Sequence, residues 1–100
     1  TRDQISEIVR RKSAIASLAS EAARLEAESK ELAAEQVRLR ENIDTLRNVS
    51  GQQDQVQNYA RRLAAAESEI AALRDRIHET ERKRAEADRE LKNLIDNLEF

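Results

Sequence analysis

The chain of 100 residues contains no cysteine, proline, tryptophan or methionine, one glycine and only two aromatic residues, Tyr59 and Phe100. Without cysteine there is no disulfide and no thiolate site. A single glycine excludes a glycine-rich phosphate loop, and the absence of proline leaves long helices uninterrupted. No apolar run approaches the ~18 residues that span a membrane, and no signal peptide is visible.

Charged residues make up 38% of the chain. Alanine, glutamate, arginine and leucine dominate, a composition typical of coiled coils and long helices. Eighteen basic and twenty acidic residues are finely mixed and leave a net charge of −2, which indicates an ion-paired surface rather than a field for a polyanion. Regular apolar spacing favours folded helix over disorder. Because the chain begins at Thr1, we expect it to be part of a larger protein.

Residues 1–47 carry a heptad pattern, in which positions a and d form the apolar seam of a helix. Leucine occupies d every seventh residue, and five leucines in register predict a helix. The d residues are Leu18, Leu25, Leu32, Leu39 and Leu46, and the a residues are Ile8, Ile15, Ala22, Ser29, Gln36 and Ile43.

Residues 54–98 carry a second heptad pattern, whose phase has slipped by one residue. Its a residues are Val56, Leu63, Ile70, Ile77, Arg84, Leu91 and Leu98, and its d residues are Tyr59, Ala66, Leu73, Thr80, Ala87 and Leu94. The sequence therefore predicts a second helix across this range.

Residues 48–53 break both patterns around Gly51, the residue type that ends helices in a left-handed conformation. Ser50 followed by Gln53 also fits a capping box that begins the next helix, and both alternatives make a short turn. Folding the chain here pairs residues whose numbers add up to 102, such as Leu39 with Leu63, so that every d meets an a. The fold class predicted is all-α, an antiparallel two-helix coiled-coil hairpin; the alternative is a continuous parallel dimer, since a mid-helix glycine costs only ~1 kcal/mol.

Charges beside the seam agree with this register in most places. The predicted pairs are Glu26 with Arg74, Glu28 with Arg76, Glu21 with Lys83 and Lys12 with Asp88, whereas Glu35 opposes Glu69. Exposed pairs contribute only ~0.2–1 kcal/mol each, so they select register more than they stabilise the fold.

The predicted seam is thin in its middle and thick at its open end. Thin positions are Ala22, Ser29, Gln36, Ala66, Thr80 and Arg84, and the thick end comprises Ile5, Ile8, Val9, Leu91, Leu94, Ile95, Leu98 and Phe100. Because two helices bury only one stripe each, we expect self-association, for instance into a four-helix bundle, or docking onto the rest of a larger protein. Alanine patches at residues 14–23 and 64–72 would permit close helix approach, or simply favour helix.

No catalytic, cofactor-binding or metal-ligating residue is predicted, and we expect no enzyme activity. The only histidine, His78, follows an a position and should point to solvent. Carboxylates are numerous, but a catalytic carboxylate needs a pocket that raises its pKa. An RNA-contacting hairpin arm is the alternative function, because Arg38, Arg40, Arg47, Arg61 and Arg62 outnumber three acids between residues 36 and 66.

Four features together look like a known bacterial pattern: the stretch Glu35–Ile43, a polar turn, Tyr59 with Leu63, and the ending Leu94-Ile95-Asp96-Asn97-Leu98. They resemble the coiled-coil tail of the mucoidy-inhibitor-like proteins, which have a carboxy-terminal domain of unknown function. The resemblance implies a bacterial protein with a β-rich partner domain and implies no catalytic residues. The function predicted is a non-catalytic structural or protein-interaction module of a larger protein.

Overall fold

A computed structural model describes residues 2–98 and contains two helices, α1 (Arg2–Leu46) and α2 (Gln53–Asp96), joined by a turn at residues 47–52. No strand occurs in this range, and the predicted all-α, antiparallel helical hairpin is confirmed. The predicted helix bounds were 1–47 and 54–98, so α1 ends one residue earlier, and α2 begins one residue earlier and ends two residues earlier. Thr1 and Phe100, which the prediction placed in the first helix and the thick end, lie outside the described residues.

Local ion pairs stabilise both helices along their own surfaces. Arg24 lies 3.5 Å from Glu21 and Arg38 lies 3.5 Å from Glu35, in each case three residues apart on α1. Such pairs contribute ~0.2–0.5 kcal/mol each to an isolated helix. The high charge content is therefore compatible with long helices that have few apolar residues.

Backbone hydrogen bonds define how the chain turns. The Val49 amide donates to the Leu46 carbonyl at 3.0 Å, which ends α1 in a tighter turn, and the Val56 amide donates to the Gln52 carbonyl at 3.0 Å, which begins α2. Gln52 is therefore the N-cap residue, and Gly51, with φ of +81°, lies directly before it in the left-handed region. The left-handed conformation predicted for Gly51 is confirmed, but α1 ends at Leu46, before the glycine. The capping box at Ser50 was wrong, because Ser50 lies two residues ahead of the cap.

Contacts between the helices cluster into two compact units. The turn unit comprises Glu26–Asp75, and the terminal unit comprises Thr1–Leu25 with Arg76–Phe100. Each unit therefore contains a segment of α1 packed against a segment of α2.

In the turn unit, the buried residues come from seam positions of both helices: Leu39, Ala66, Ile70 and Leu73. Half-buried seam residues surround them: Ser29, Leu32, Gln36, Ile43, Leu46, Val56, Tyr59 and Leu63. The predicted a and d positions therefore face the partner helix throughout this unit.

In the terminal unit, Leu25 is fully buried, and Ala22, Ile77, Thr80 and Leu91 are also buried. Ile8, Ile15, Leu18, Ala87, Leu94 and Leu98 are half-buried. Arg84 is the exception, because the heptad placed it at an a position and its side chain is exposed. A long arginine side chain can leave the seam and keep its guanidinium in water.

Candidate interaction surface

Each helix has two flanks beside its seam, one made of heptad positions e and b and the other of g and c. Because the two helices are antiparallel, the e and b side of one helix lies next to the e and b side of the other, and the same holds for the g and c sides. The e residues Arg40 and Glu67 lie 3.5 Å apart. The g residues Arg62 and Glu35 lie 2.8 Å apart. We name the e and b side the apolar flank and the g and c side the charged flank. In the terminal unit the described residues of the apolar flank are Arg2, Ile5, Val9, Lys12, Ala16, Ala19, Ala23, His78, Glu81, Ala85, Asp88, Lys92 and Ile95.

On the charged flank of the turn unit, Glu35 lies between two arginines. Its Oε1 accepts a hydrogen bond from Arg62 Nη2 at 2.8 Å, and its Oε2 lies 3.5 Å from Arg38 Nη2. The Arg62 guanidinium also lies 5.8 Å from the centre of the Tyr59 ring, a cation–π distance. Glu35 therefore has basic partners that offset the predicted repulsion from Glu69.

On the charged flank of the terminal unit, Arg11 bridges the two helices. Its Nε donates to Glu7 at 2.9 Å on α1, and its Nη1 donates to Glu90 at 3.2 Å on α2. Arg11 precedes Leu18 by seven residues and is half-buried, so it occupies a seam position that the sequence analysis missed. Continuing the leucine repeat one heptad towards the amino terminus would have found it.

The observed ion pairs differ from those predicted. Among residues 2–98, Glu26 with Arg74, Glu21 with Lys83 and Lys12 with Asp88 form no pair within 4.0 Å. Glu21 lies instead 3.8 Å from Arg76. A long side chain on a flank can reach two residues of the opposite helix that lie one heptad apart. The two possible ion pairs are exposed and differ little in energy, so the sequence does not show which of the two forms.

His78, Glu79 and Arg82 lie on an open surface of the terminal unit. His78 is exposed. Next to it, a hydrogen bond from Arg82 at 2.6 Å lowers the pKa of Glu79 below its usual 4.5, and Glu79 in turn raises the pKa of Arg82. A lowered carboxyl pKa favours the ionised form and is the ordinary effect of a surface ion pair.

A groove in the turn unit is lined by Leu32, Leu73 and four glutamates: Glu28, Glu31, Glu35 and Glu69. All four are exposed or half-buried. Small-molecule sites use enclosed apolar pockets with a few desolvated polar groups, and this groove has neither property. Within the described part of the chain, no group of histidine or acidic residues is arranged to hold a metal ion.

Arginines near the turn are mostly neutralised by nearby carboxylates. Arg38 and Arg62 share Glu35, Arg40 pairs with Glu67, and Arg47 lies 3.8 Å from Asp44. Phosphate binding needs clustered positive charge that is available to the ligand. These four arginines therefore do not form a basic stripe. Over residues 2–98, neither helix is long and apolar enough to cross a membrane.

Exposed large hydrophobic side chains gather on the apolar flank. Ile5, Val9 and Ile95 in the terminal unit are 54%, 62% and 44% exposed, and Val37 in the turn unit is 52% exposed. All four occupy e or b positions, whereas the g and c positions of the described helices carry no exposed large hydrophobic residue. A fifth exposed residue, Val49, lies in the turn. The chemistry of the two flanks is therefore different.

Comparison with protein-family models, with curated proteins and with solved structures gave no match. The resemblance to the mucoidy-inhibitor-like proteins stays a prediction.

Proposed function

We propose that this chain is a non-catalytic structural module that acts by associating with other helices, as part of a larger bacterial protein. In this proposal its two helices pack as an antiparallel coiled coil. Burial that follows the heptad positions supports the coiled coil, and the resemblance noted in the sequence supports the bacterial parent.

The observation that carries the proposal is a small core combined with exposed apolar side chains on one flank. Among the described residues, only eight apolar residues and Thr80 are buried, and Leu25 is the one fully buried side chain. A small core supplies little stability, and small folds commonly gain the remainder by oligomerisation. Such an association would bury further apolar surface at the flank on which the exposed apolar side chains lie.

The competing function, an RNA-contacting arm, has less support. Four of the five arginines that suggested it have carboxylate partners. Each phosphate contact would have to displace such a partner, which reduces the gain from binding.

Sedimentation equilibrium over a wide range of protein concentration tests the proposal. We expect a mass that rises with concentration above the 11.4 kDa of one chain. A mass of one chain at every concentration would contradict self-association. A parallel titration with unstructured RNA at low salt should show no binding, and salt-dependent binding would favour the competing function.

A further inference from the structure

We infer that a second copy of this chain docks on the apolar flank of the terminal unit, with α1 of each copy lying along α2 of the other. This inference rests on the proposed function and specifies the surface and the symmetry through which it operates.

The apolar flank of the terminal unit has the side chains that a helical interface needs. Ile5, Val9 and Ile95 expose about half of their surface or more in one copy. Towards the turn unit the same flank continues with small residues, of which Ala16, Ala23 and Ala85 are exposed and Ala19 is half-buried. Large apolar residues at one end would anchor the contact, and alanines beyond them allow the helix axes to come within ~8–10 Å.

Charges of both signs on the flank favour another copy as the occupant. Five charged residues lie at its described e and b positions, three positive and two negative: Arg2, Lys12, Lys92, Glu81 and Asp88. None of the five has an ion-pair partner within 4.0 Å in its own copy over the described range, whereas Glu7 and Glu90 on the charged flank both pair with Arg11. A surface that carries unpaired charges of both signs can form ion pairs with a second copy of itself.

A two-fold axis parallel to the helices gives the matching arrangement. It places α1 of one copy against α2 of the other at equal heights, since closed homodimers use the same patch on both copies. With residue numbers adding up to about 102, Ile5 and Val9 then face Ile95 of the second copy, Lys12 lies between Asp88 and Lys92, and Ala16 faces Ala85. Placing α1 against α1 at equal heights would instead bring Lys12 against Lys12.

The flank is large enough for a specific dimer. Each helix contributes about 22 residues to this flank, a length of about 33 Å at ~1.5 Å rise per residue. Two helices side by side are ~20 Å wide, so the flank of each copy covers ~650 Å². Two copies would bury ~1,300 Å², which lies within the ~1,200–2,000 Å² of standard specific interfaces. The terminal unit alone therefore provides a sufficient surface.

The first test compares two lysine substitutions by sedimentation equilibrium. Val9→Lys puts a positive charge at the apolar end of the proposed interface, opposite Lys92 of the second copy, and should weaken dimerisation by ~10-fold or more. Ser17→Lys adds the same charge eight residues away on the charged flank and should change the dissociation constant by less than ~2-fold. Both residues are exposed, so far-UV circular dichroism should show unchanged helicity. Equal weakening by both variants, or weakening by Ser17→Lys alone, would overturn the choice of flank.

The second test uses the absence of natural cysteine. Ala16→Cys and Ala85→Cys variants are oxidised separately and as an equimolar mixture. We expect a disulfide-linked dimer that contains one chain of each variant to predominate in the mixture. Predominant homodimers in the separate samples would overturn the α1-to-α2 arrangement.

The outcomes separate the inference from the proposed function. A wild-type chain that stays monomeric contradicts both. A wild-type dimer that is insensitive to Val9→Lys retains the proposed self-association and overturns this interface.

Discussion

Leu25 is the residue whose truncation should destabilise the hairpin most. It is the one fully buried side chain of the described residues. Leu25→Ala removes three carbon atoms, worth ~0.8 kcal/mol each in lost burial, and leaves a cavity that raises the cost further. Because a seam between only two helices can partly collapse around the cavity, we expect a loss near the lower end of the ~2.7–5 kcal/mol measured for such substitutions, about 3 kcal/mol.

Leu18 provides the matched comparison, because it occupies the same heptad position one repeat earlier and is only half-buried. Leu18→Ala loses less apolar burial and leaves a cavity open to water, so its expected cost is about 1–1.5 kcal/mol. Urea unfolding followed by far-UV circular dichroism measures both free energies. All samples are held at one protein concentration, since association would add to apparent stability.

The ratio between the two variants is the decisive quantity. If Leu18→Ala destabilises as much as Leu25→Ala, burial within one copy does not rank the seam residues, and the reasoning is refuted. If both variants lower the free energy of unfolding by less than about 1 kcal/mol, the apolar contacts of the seam are too weak to hold the two helices together.

Three further predictions concern single sites. Gly51→Ala should lower the free energy of unfolding by ~1–2 kcal/mol, because its φ of +81° strains any residue that has a Cβ. An added Cβ would meet no atom within 4 Å, so this backbone strain is the whole expected cost. An unchanged melting temperature would contradict this prediction, and Gly51→Asn should cost less. Thr80→Val should change the free energy of unfolding in urea by less than ~1 kcal/mol, because the two side chains have the same shape and the Thr80 hydroxyl, on a residue that is 8% exposed, is not a buried group without a hydrogen-bond partner; a gain well above that value would contradict this reasoning. Glu79 should titrate below pH 4.5 by carbon-13 NMR, and Arg82→Gln should return its pKa towards 4.5. Since the folded pKa is lowered, the stability this pair contributes is complete above pH 4.5 and is lost as pH falls through the lowered value; a midpoint that Arg82→Gln leaves unchanged would refute the assignment.

The seam could be predicted from the sequence because its period is a property of the α-helix itself. Every a and d residue named for the two heptads is buried or half-buried except Arg84. Arg84 is exposed because an arginine side chain is long and flexible. Its guanidinium can reach water even from a position whose Cβ faces the other helix. The reversal near Gly51 was predictable for a similar reason, because the phase slip fits two helices better than one.

Features that depend on long side chains could not be predicted in the same way. Glu35 pairs with Arg62, and Glu21 with Arg76, through contacts that differ little in energy from their neighbours one heptad away. The cap of α2 depends on which carbonyl accepts its first hydrogen bond, which is that of Gln52, whereas the capping-box pattern pointed to Ser50. Ile5, Val9 and Ile95 were predicted as part of the thick end of the seam, but they occupy e and b positions, and their side chains are exposed on one flank instead.

Tyr59 makes the turn unit observable separately from the terminal unit. It is the only tyrosine, and the chain has no tryptophan, so ultraviolet-excited fluorescence comes from one half-buried ring beside Arg62. Circular dichroism, in contrast, averages over the backbone of both helices. Unfolding curves from the two signals coincide when the chain unfolds in one cooperative step and separate when the units melt independently. Without any added label, the protein can therefore report whether its two units unfold together.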